Sequence, residues 1–167
     1  MRQTPTINRA ITEWLARAHP TPSAAYTQWQ VQGVAMLPLG RDFAAVRLPA
    51  RLIHAAIGVD DRTDRLPGLR ASITSMIGGP VIHDGNTVGV AYYALIPWHA
   101  GLIWEEQHTA PCVAVGTYLG VPRVDRLGPP GPYWVVPPSY DGHLCAPASV
   151  RALIGLGRER LSAEADT

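Results

Sequence analysis

The stretch VIHDGNTVGVAYYALI, residues 81–96, decides the fold. Two apolar runs, residues 81–83 and 87–96, flank Asp84-Gly85, and an Asp-Gly pair supplies the positive φ angles that a tight turn requires. The stretch therefore predicts an antiparallel hairpin. Because VGVAYYALI is apolar at alternate and intervening positions alike, we expect its strand to be buried on both faces, at the centre of a sheet.

The residues on the N-terminal side of this hairpin predict two helices and a second strand pair. Apolar side chains recur at helical spacing in residues 8–18, and another short helix is predicted at 24–30. The apolar runs 34–39 and 43–48 are separated by Gly40-Arg41-Asp42 and predict a second hairpin.

Two helices are predicted between the hairpins, at 49–58 and 67–77, because each has an apolar stripe and ends at a glycine. Three short strands and a closing helix are predicted after residue 96, at 112–115, 118–121, 133–136 and 148–161. The predicted fold class is α+β (mixed α/β), with a single mixed, largely antiparallel sheet and helices packed on it. We expect one domain over residues 1–167, with flexible ends at 1–7 and 160–167.

The charged residues exclude several classes of enzyme. All fourteen basic residues are arginine, so catalysis by lysine, as in phosphate-loop ATPases, Schiff-base enzymes and pyridoxal-phosphate enzymes, is excluded. A GC-rich genome and recognition of phosphate or carboxylate by guanidinium groups both explain this preference for arginine. Thirteen acidic residues bring the net charge to +1, which excludes the general basic field of nonspecific nucleic-acid binders.

Two cysteines and the absence of long apolar runs indicate the compartment. Cys112 and Cys145 belong to no C-x-x-C pair, so neither a zinc knuckle nor a dithiol redox site is predicted, and we expect buried free thiols. No segment approaches the roughly 18 apolar residues of a membrane span. The sequence predicts a cytoplasmic protein with no membrane contact and no cofactor.

Three segments carry a resemblance to a known family. They are VAMLPLGRDFAAVRLPA (residues 34–50), GPVIHDGNTVGVAYYALIPWH (79–99) and GTYLGVPRVDRLGPPGPYWVVPPSYDGHL (116–144), of which the last is the most specific. In this order they resemble the N-terminal domain of bacterial, in particular actinobacterial, bifunctional primase-polymerases, a branch of the archaeo-eukaryotic primase superfamily. The resemblance implies a mixed sheet with a nucleotidyl-transfer site.

The residues that such a site needs are missing from the matching positions. Active members of the superfamily hold two metal ions with an Asp-x-Asp pair and a later carboxylate, and a histidine contacts the phosphates. The matching strand, 43–48, reads FAAVRL, with Asp42 alone before it, and the histidine's strand reads AYYA, with His99 following. Asp125 could supply the third acid. One carboxylate cannot assemble a two-metal site, so the resemblance implies a degenerate, noncatalytic domain.

Several polar side chains are candidates for other chemistry. His99, Glu105, Glu106 and His108 fall within ten positions and could ligate zinc or iron, although their spacing matches no H-E-x-x-H pattern. A solvated loop fixed by the neighbouring Trp98 and Trp104 is the alternative.

Two further candidates for catalysis are local in the sequence. His83-Asp84 could form an acid-base pair. The alternative is that Asp84 is present because an Asp-Gly pair suits a tight turn. Cys112, four positions after His108, is the nearest candidate nucleophile.

Aromatic and arginine side chains cluster in the second half of the chain, and aromatic faces can stack on bases while arginines hold phosphates. The candidate binding residues are Trp98, His99, Trp104, Tyr118, Arg123, Arg126, Tyr133 and Trp134. We expect loops 97–110 and 122–132 to bring them onto one face that binds nucleic acid or a protein partner. Burial of the rings in a core or an interface is the alternative.

Two further functions stay open at this point. One is a small metal- or histidine-dependent enzyme, with a pocket lined by His83, His99 and Glu105. The other is a structural or accessory protein that forms a homodimer through its aromatic surface.

Overall fold

The computed structural model describes residues 5–58, 66–85 and 89–166 of the chain. Its helices are α1 (Pro5–Ala16), α2 (Pro22–Gln32), α3 (Ala50–Ile57), α4 (Leu66–Ile77) and α5 (Pro147–Ala165), with a 3-10 helix at Trp98–Ile103. Its strands are β1 (Val34–Pro38), β2 (Phe43–Pro49), β3 (Val81–Asp84), β4 (Ala91–Pro97), β5 (Cys112–Val113), β6 (Tyr118–Pro122) and β7 (Tyr133–Val136). Helix α5 thus extends beyond the predicted end at residue 161.

Five strands form the main sheet in the order β5-β2-β4-β3-β7, and every pairing between them is antiparallel. The predicted central strand is confirmed, because β4 pairs with β2 on one side and with β3 on the other. Tyr92 and Ala94 face one hydrophobic core, and Leu95 faces the other. The predicted α+β class, with helices packed on a largely antiparallel sheet, is confirmed as well.

The turn predicted at Asp84-Gly85 is wrong. Asp84 is still paired with Ala91, so residues 85–90 connect the two strands, and Gly85 does not have a positive φ. Gly89, with φ 113°, has the left-handed backbone instead. Long-range pairing of β3 therefore outweighs the local turn preference of the Asp-Gly pair. Residues 86–88, which include the predicted start of the second strand, lie outside the described residues.

The hairpin predicted from residues 34–39 and 43–48 is also wrong, although both strands exist. Strand β1 pairs with β6 in a separate two-stranded sheet, whereas β2 belongs to the main sheet, so the strands form two sheets and not the single predicted one. The turn at Gly40 lies where the chain passes from the two-stranded sheet to the main sheet. Gly40 has φ 96° and packs so closely on Val115 that a Cβ would lie 2.5 Å from the Val115 nitrogen.

The main sheet separates two hydrophobic cores. Helices α3, α4 and α5 cover one face, where Val46 and Leu48 of β2 are buried. Helices α1 and α2 and the β1–β6 sheet cover the other face, where Phe43 and Ala45 of the same strand are buried. Alternate side chains of β2 thus point to opposite cores, as strand geometry requires. In the part of the chain that is described, no helix combines the length and apolarity needed to cross a membrane.

Candidate functional site

Two aromatic side chains of the predicted binding face are buried in the hydrophobic cores. Tyr133 and Trp134 are neighbours on β7 and are both buried, Tyr133 in the core under α3–α5 and Trp134 in the core under α1 and α2. The Trp134 Nε1–H donates a hydrogen bond to the carbonyl oxygen of Pro122 at 3.0 Å. Neither ring is available to stack on a base, so their assignment to a binding surface is wrong.

The other predicted aromatic side chains divide between interior and surface. Trp104 is buried, and its Nε1–H donates to the Ala110 carbonyl oxygen at 2.7 Å. Trp98 and His99 lie at the exposed start of the 3-10 helix. Tyr118 is exposed on β6, opposite Pro38 in the separate two-stranded sheet.

The two predicted arginines are engaged within the chain. Arg123 Nε lies 2.5 Å from the Asp125 carboxylate, so Asp125 forms a loop ion pair. Arg126 donates from Nη1 to the Gln32 carbonyl oxygen at 3.3 Å, and its guanidinium lies against Gly33, where a Cβ would approach Nη1 to 2.8 Å. These contacts hold the 122–132 loop against the end of α2.

The two loops that were expected to share one face join different strands at different ends of the main sheet. The 3-10 helix follows Pro97 at the end of β4 and packs on β2 and β5, since a Cβ at Gly101 would lie 3.3 Å from the Ala44 Cβ and 3.1 Å from the Cys112 sulfur. Residues 122–132 lead into β7 at Tyr133, which the pairing through His83 places level with Tyr92. Tyr92 and Pro97 are five residues apart on β4, about 17 Å. The predicted aromatic and arginine face is therefore not assembled.

The candidate metal ligands and the candidate pocket are not assembled either. Within residues 5–58, 66–85 and 89–166, no three His, Cys, Asp or Glu side chains lie close enough to hold a metal ion. Glu106 instead pairs with Arg158 of α5 at 3.1 Å. His83 pairs with Tyr92 at the start of β4, whereas His99 and Glu105 follow its end at Pro97, about 17 Å farther along the strand.

Strand β2, which the predicted resemblance would align with a metal-binding strand, has no open face. Phe43, Ala44, Ala45, Val46 and Leu48 are all buried, because β2 is covered by helices or strands on both sides. A carboxylate pair placed there would face a core.

The two thiols are poor nucleophiles for the same reason. Burial raises the pKa of Cys112 to about 11 and that of Cys145 to about 12. The thiolate is the reactive form, and it is scarce at neutral pH when the pKa is that high. The candidate nucleophile Cys112 is therefore not activated.

A cluster of two histidines and two tyrosines was not predicted. His54 Nε2 and the Tyr92 hydroxyl share a hydrogen bond of 2.9 Å, and the His83 ring stacks on Tyr133 with 4.6 Å between ring centres. Tyr92 also contacts the His83 ring edge-on. The cluster was missed because the predicted strand register was wrong. A turn at residues 84–85 would place His83 opposite Asn86, whereas in the structure His83 pairs with Tyr92.

A group of exposed apolar side chains lies at the β5 edge, and here we call it the edge surface. Its members are Trp98, Leu102, Ile103 and Val115, with 44%, 68%, 79% and 79% of their surface exposed.

The parts of the chain that carry the edge surface are close together. A Cβ at Gly101 would lie 3.9 Å from that of Ala114, so Leu102 and Ile103 follow one side of this contact and Val115 follows the other. The Thr117 N–H donates to the Ala114 carbonyl at 3.1 Å, which closes the turn that displays Val115. Gly40 packs closely on the backbone and side chain of Val115, which fixes the position of this turn.

Comparison of the chain with protein-family models, with curated proteins and with solved structures gives no match in any of the three. The resemblance to primase-polymerases therefore stays a prediction from the sequence.

Proposed function

We propose that this chain is a noncatalytic, cytoplasmic binding module that engages a protein partner through the edge surface. The observation that carries the proposal is the exposure of Leu102, Ile103 and Val115, each more than two thirds exposed, beside the half-exposed ring of Trp98. Large apolar side chains gathered at one place on a surface mark protein interaction sites, whereas single ones are common everywhere.

The surroundings of the edge surface favour a protein over a nucleic acid. The four members lie in segments, 98–104 and 107–122, without arginine, aspartate or glutamate, and the two residues between these segments, Glu105 and Glu106, are acids, which repel phosphates. Nucleic-acid binding depends on cations that hold the phosphates, and the nearby Arg158 is paired with Glu106. An uncharged apolar surface suits the centre of a protein interface, where charged residues are depleted.

The primase-polymerase resemblance fits this proposal as a source of the scaffold. A domain of that kind whose metal-binding strand has become an apolar core strand would keep its sheet and helices and lose nucleotidyl transfer. The burial of Phe43 and Val46 supports such a loss. Metal-dependent extension of a primed template by the purified chain would contradict the noncatalytic part of the proposal.

A photo-crosslinking experiment tests the edge surface itself. A benzophenone amino acid is placed at Ile103 in the full chain, expressed in its host cells, and irradiated. We expect a discrete crosslinked protein adduct. The matched control carries the same group at Val31 of α2, which is 76% exposed and belongs to none of the segments that carry the edge surface. Equal adducts at both positions, or none at Ile103, would overturn the proposal.

A further inference from the structure

We propose that the partner of the edge surface is a second copy of this chain, so that two edge surfaces meet across a two-fold axis. The inference rests on the proposed function, because it names the protein that the edge surface binds. In a two-fold interface the same patch is used on both copies, so the patch has to be complementary to itself in shape and charge. Three features of the β5 edge support the inference: the area of the edge surface, its lack of charge, and the way the β5 strand ends the sheet.

The first feature is the area. With about 150–250 Å² for a large side chain, the exposed fractions of the four members add up to on the order of 500 Å². The largest apolar patch on a monomeric protein is about 300–600 Å² and is often functional. A standard interface buries about 800 Å² on each partner, so these four side chains supply more than half of it. The exposed parts of His99 and Gly116 border them.

The second feature is the charge. The segments 98–104 and 107–122, which carry all four members, contain no arginine, aspartate or glutamate. The exposed charged residues next to them are Glu105 and the Arg41-Asp42 pair that follows Gly40; they carry both signs and would lie at the rim of a two-fold contact. A partner recognised by its charge would find no complementary group on these segments. An uncharged patch thus fits an identical patch better than it fits a strongly acidic or basic protein.

The third feature is the way the β5 strand ends the sheet. An open sheet edge invites another strand to pair with it, but β5 has only two residues. The outward N–H of Cys112 is already bonded to the Gln107 side-chain oxygen at 2.8 Å. Copies therefore meet through the side chains of the 3-10 helix and the Val115 turn, and the two main sheets do not join into one.

Sedimentation velocity of the full chain, between about 2 and 200 μM, tests the inference. We expect a reversible dimer of twice the 18.0 kDa chain mass. The variants Leu102→Asp and Ile103→Asp should each weaken association at least tenfold, and the double variant should be monomeric at every concentration. Each of these side chains is more than two thirds exposed in the monomer, so the fold should be retained, which circular dichroism will show.

Two control variants sharpen the result. Val31→Asp changes an equally exposed apolar residue on α2 and should leave the dimer unchanged. Gln107→Ala removes the side-chain contact at β5 and should not weaken the dimer, because the interface does not depend on strand pairing. Loss of the dimer in Val31→Asp would place the interface elsewhere and overturn the inference.

The mass of the photo-crosslinked adduct at Ile103 distinguishes failure of the dimer inference from failure of the proposed function. An adduct of twice the chain mass is expected if the partner is a second copy. A monomer at 200 μM together with an adduct of another mass would overturn the dimer and leave the proposed function standing. A monomer with no adduct at Ile103 would overturn both.

Discussion

The two outer strands of the main sheet end it in different ways. At β7 the edge is closed by polar contacts: Arg70 of α4 donates from Nε to the Val135 carbonyl oxygen at 2.7 Å and from Nη2 to that of Leu127 at 2.6 Å. The Trp134 N–H donates to the Arg126 carbonyl oxygen at 2.9 Å. At β5 the edge has one side-chain cap, from Gln107, and beyond it lie the exposed apolar side chains of the edge surface.

The difference separates an edge that is closed within the monomer from the edge that carries the proposed interaction. Closing an edge prevents another chain from pairing with it, and a bonded arginine at β7 does this within the monomer. Exposed apolar side chains at β5 have no such role in the monomer, because their burial requires another molecule. If the proposal holds, substitutions at the β7 edge should lower the stability of the monomer, and substitutions at the β5 edge should weaken binding.

The largest expected effect on stability is at the β7 edge, with Arg70→Met. The variant keeps the apolar stem and removes the donors to the carbonyl oxygens of Val135, Leu127 and Trp134. Hydrogen bonds to charged groups contribute about 1.5–3 kcal/mol each, less when they are partly exposed, so the unfolding free energy should fall by about 3 kcal/mol. Urea unfolding measures the change.

The control for this prediction is Arg151→Met, which replaces an exposed arginine on α5. It should change the unfolding free energy by no more than about 0.5 kcal/mol. If Arg70→Met and Arg151→Met lowered the unfolding free energy by equally small amounts, the contacts of Arg70 would not stabilise the β7 edge, and the proposed difference between the two edges would be wrong.

A smaller effect is expected for Gly40→Ala, which tests how firmly the backbone behind the edge surface is held. Alanine at φ 96° is strained, and its Cβ would also lie 2.5 Å from the nitrogen of Val115. We expect a loss of about 2 kcal/mol in unfolding free energy. Gly116→Ala is the matched control, because Gly116 has φ 89° but nothing within 4 Å of the added carbon, and it should cost about 1 kcal/mol. Equal losses in urea unfolding would mean that the contact of Gly40 with Val115 is loose.

The elements of the fold could be predicted from local patterns, and their partners could not. Among the described residues, the five α-helices and seven strands correspond to predicted segments, because apolar periodicity and glycine ends are local signals, whereas the 3-10 helix at Trp98–Ile103 was not predicted. Pairing depends on residues far apart in the chain. Strand β1 pairs with β6, some eighty positions away, and not with β2, and residue 84 stays in the ladder despite the glycine that follows it.

The candidate site was misplaced because residue type was a poor guide to exposure. Tryptophan and tyrosine suggested a binding surface, yet Trp104 and Trp134 are buried, and their ring N–H groups are bonded to backbone carbonyls. Leu102 and Ile103 would ordinarily be expected in a core, and they are exposed. Only the three-dimensional position of the 3-10 helix, whose Gly101 packs on Ala44 of β2 and Cys112 of β5, shows that these two side chains are exposed.

The smallest expected effect on monomer stability is that of Ile103→Asp, and it depends on protein concentration. At about 1 μM, where we expect monomers, the variant and the wild type should unfold within about 0.5 kcal/mol of each other, because Ile103 is exposed. At 100 μM the melting temperature of the wild type should be higher than at 1 μM, since association stabilises the folded chain by mass action. The variant should show no such rise, while Val31→Asp should behave as the wild type does. A melting temperature of the wild type that is independent of concentration would contradict the role assigned to the β5 edge, whereas a large loss in Ile103→Asp already at 1 μM would mean that this side chain stabilises the monomer, as Arg70 does at the β7 edge.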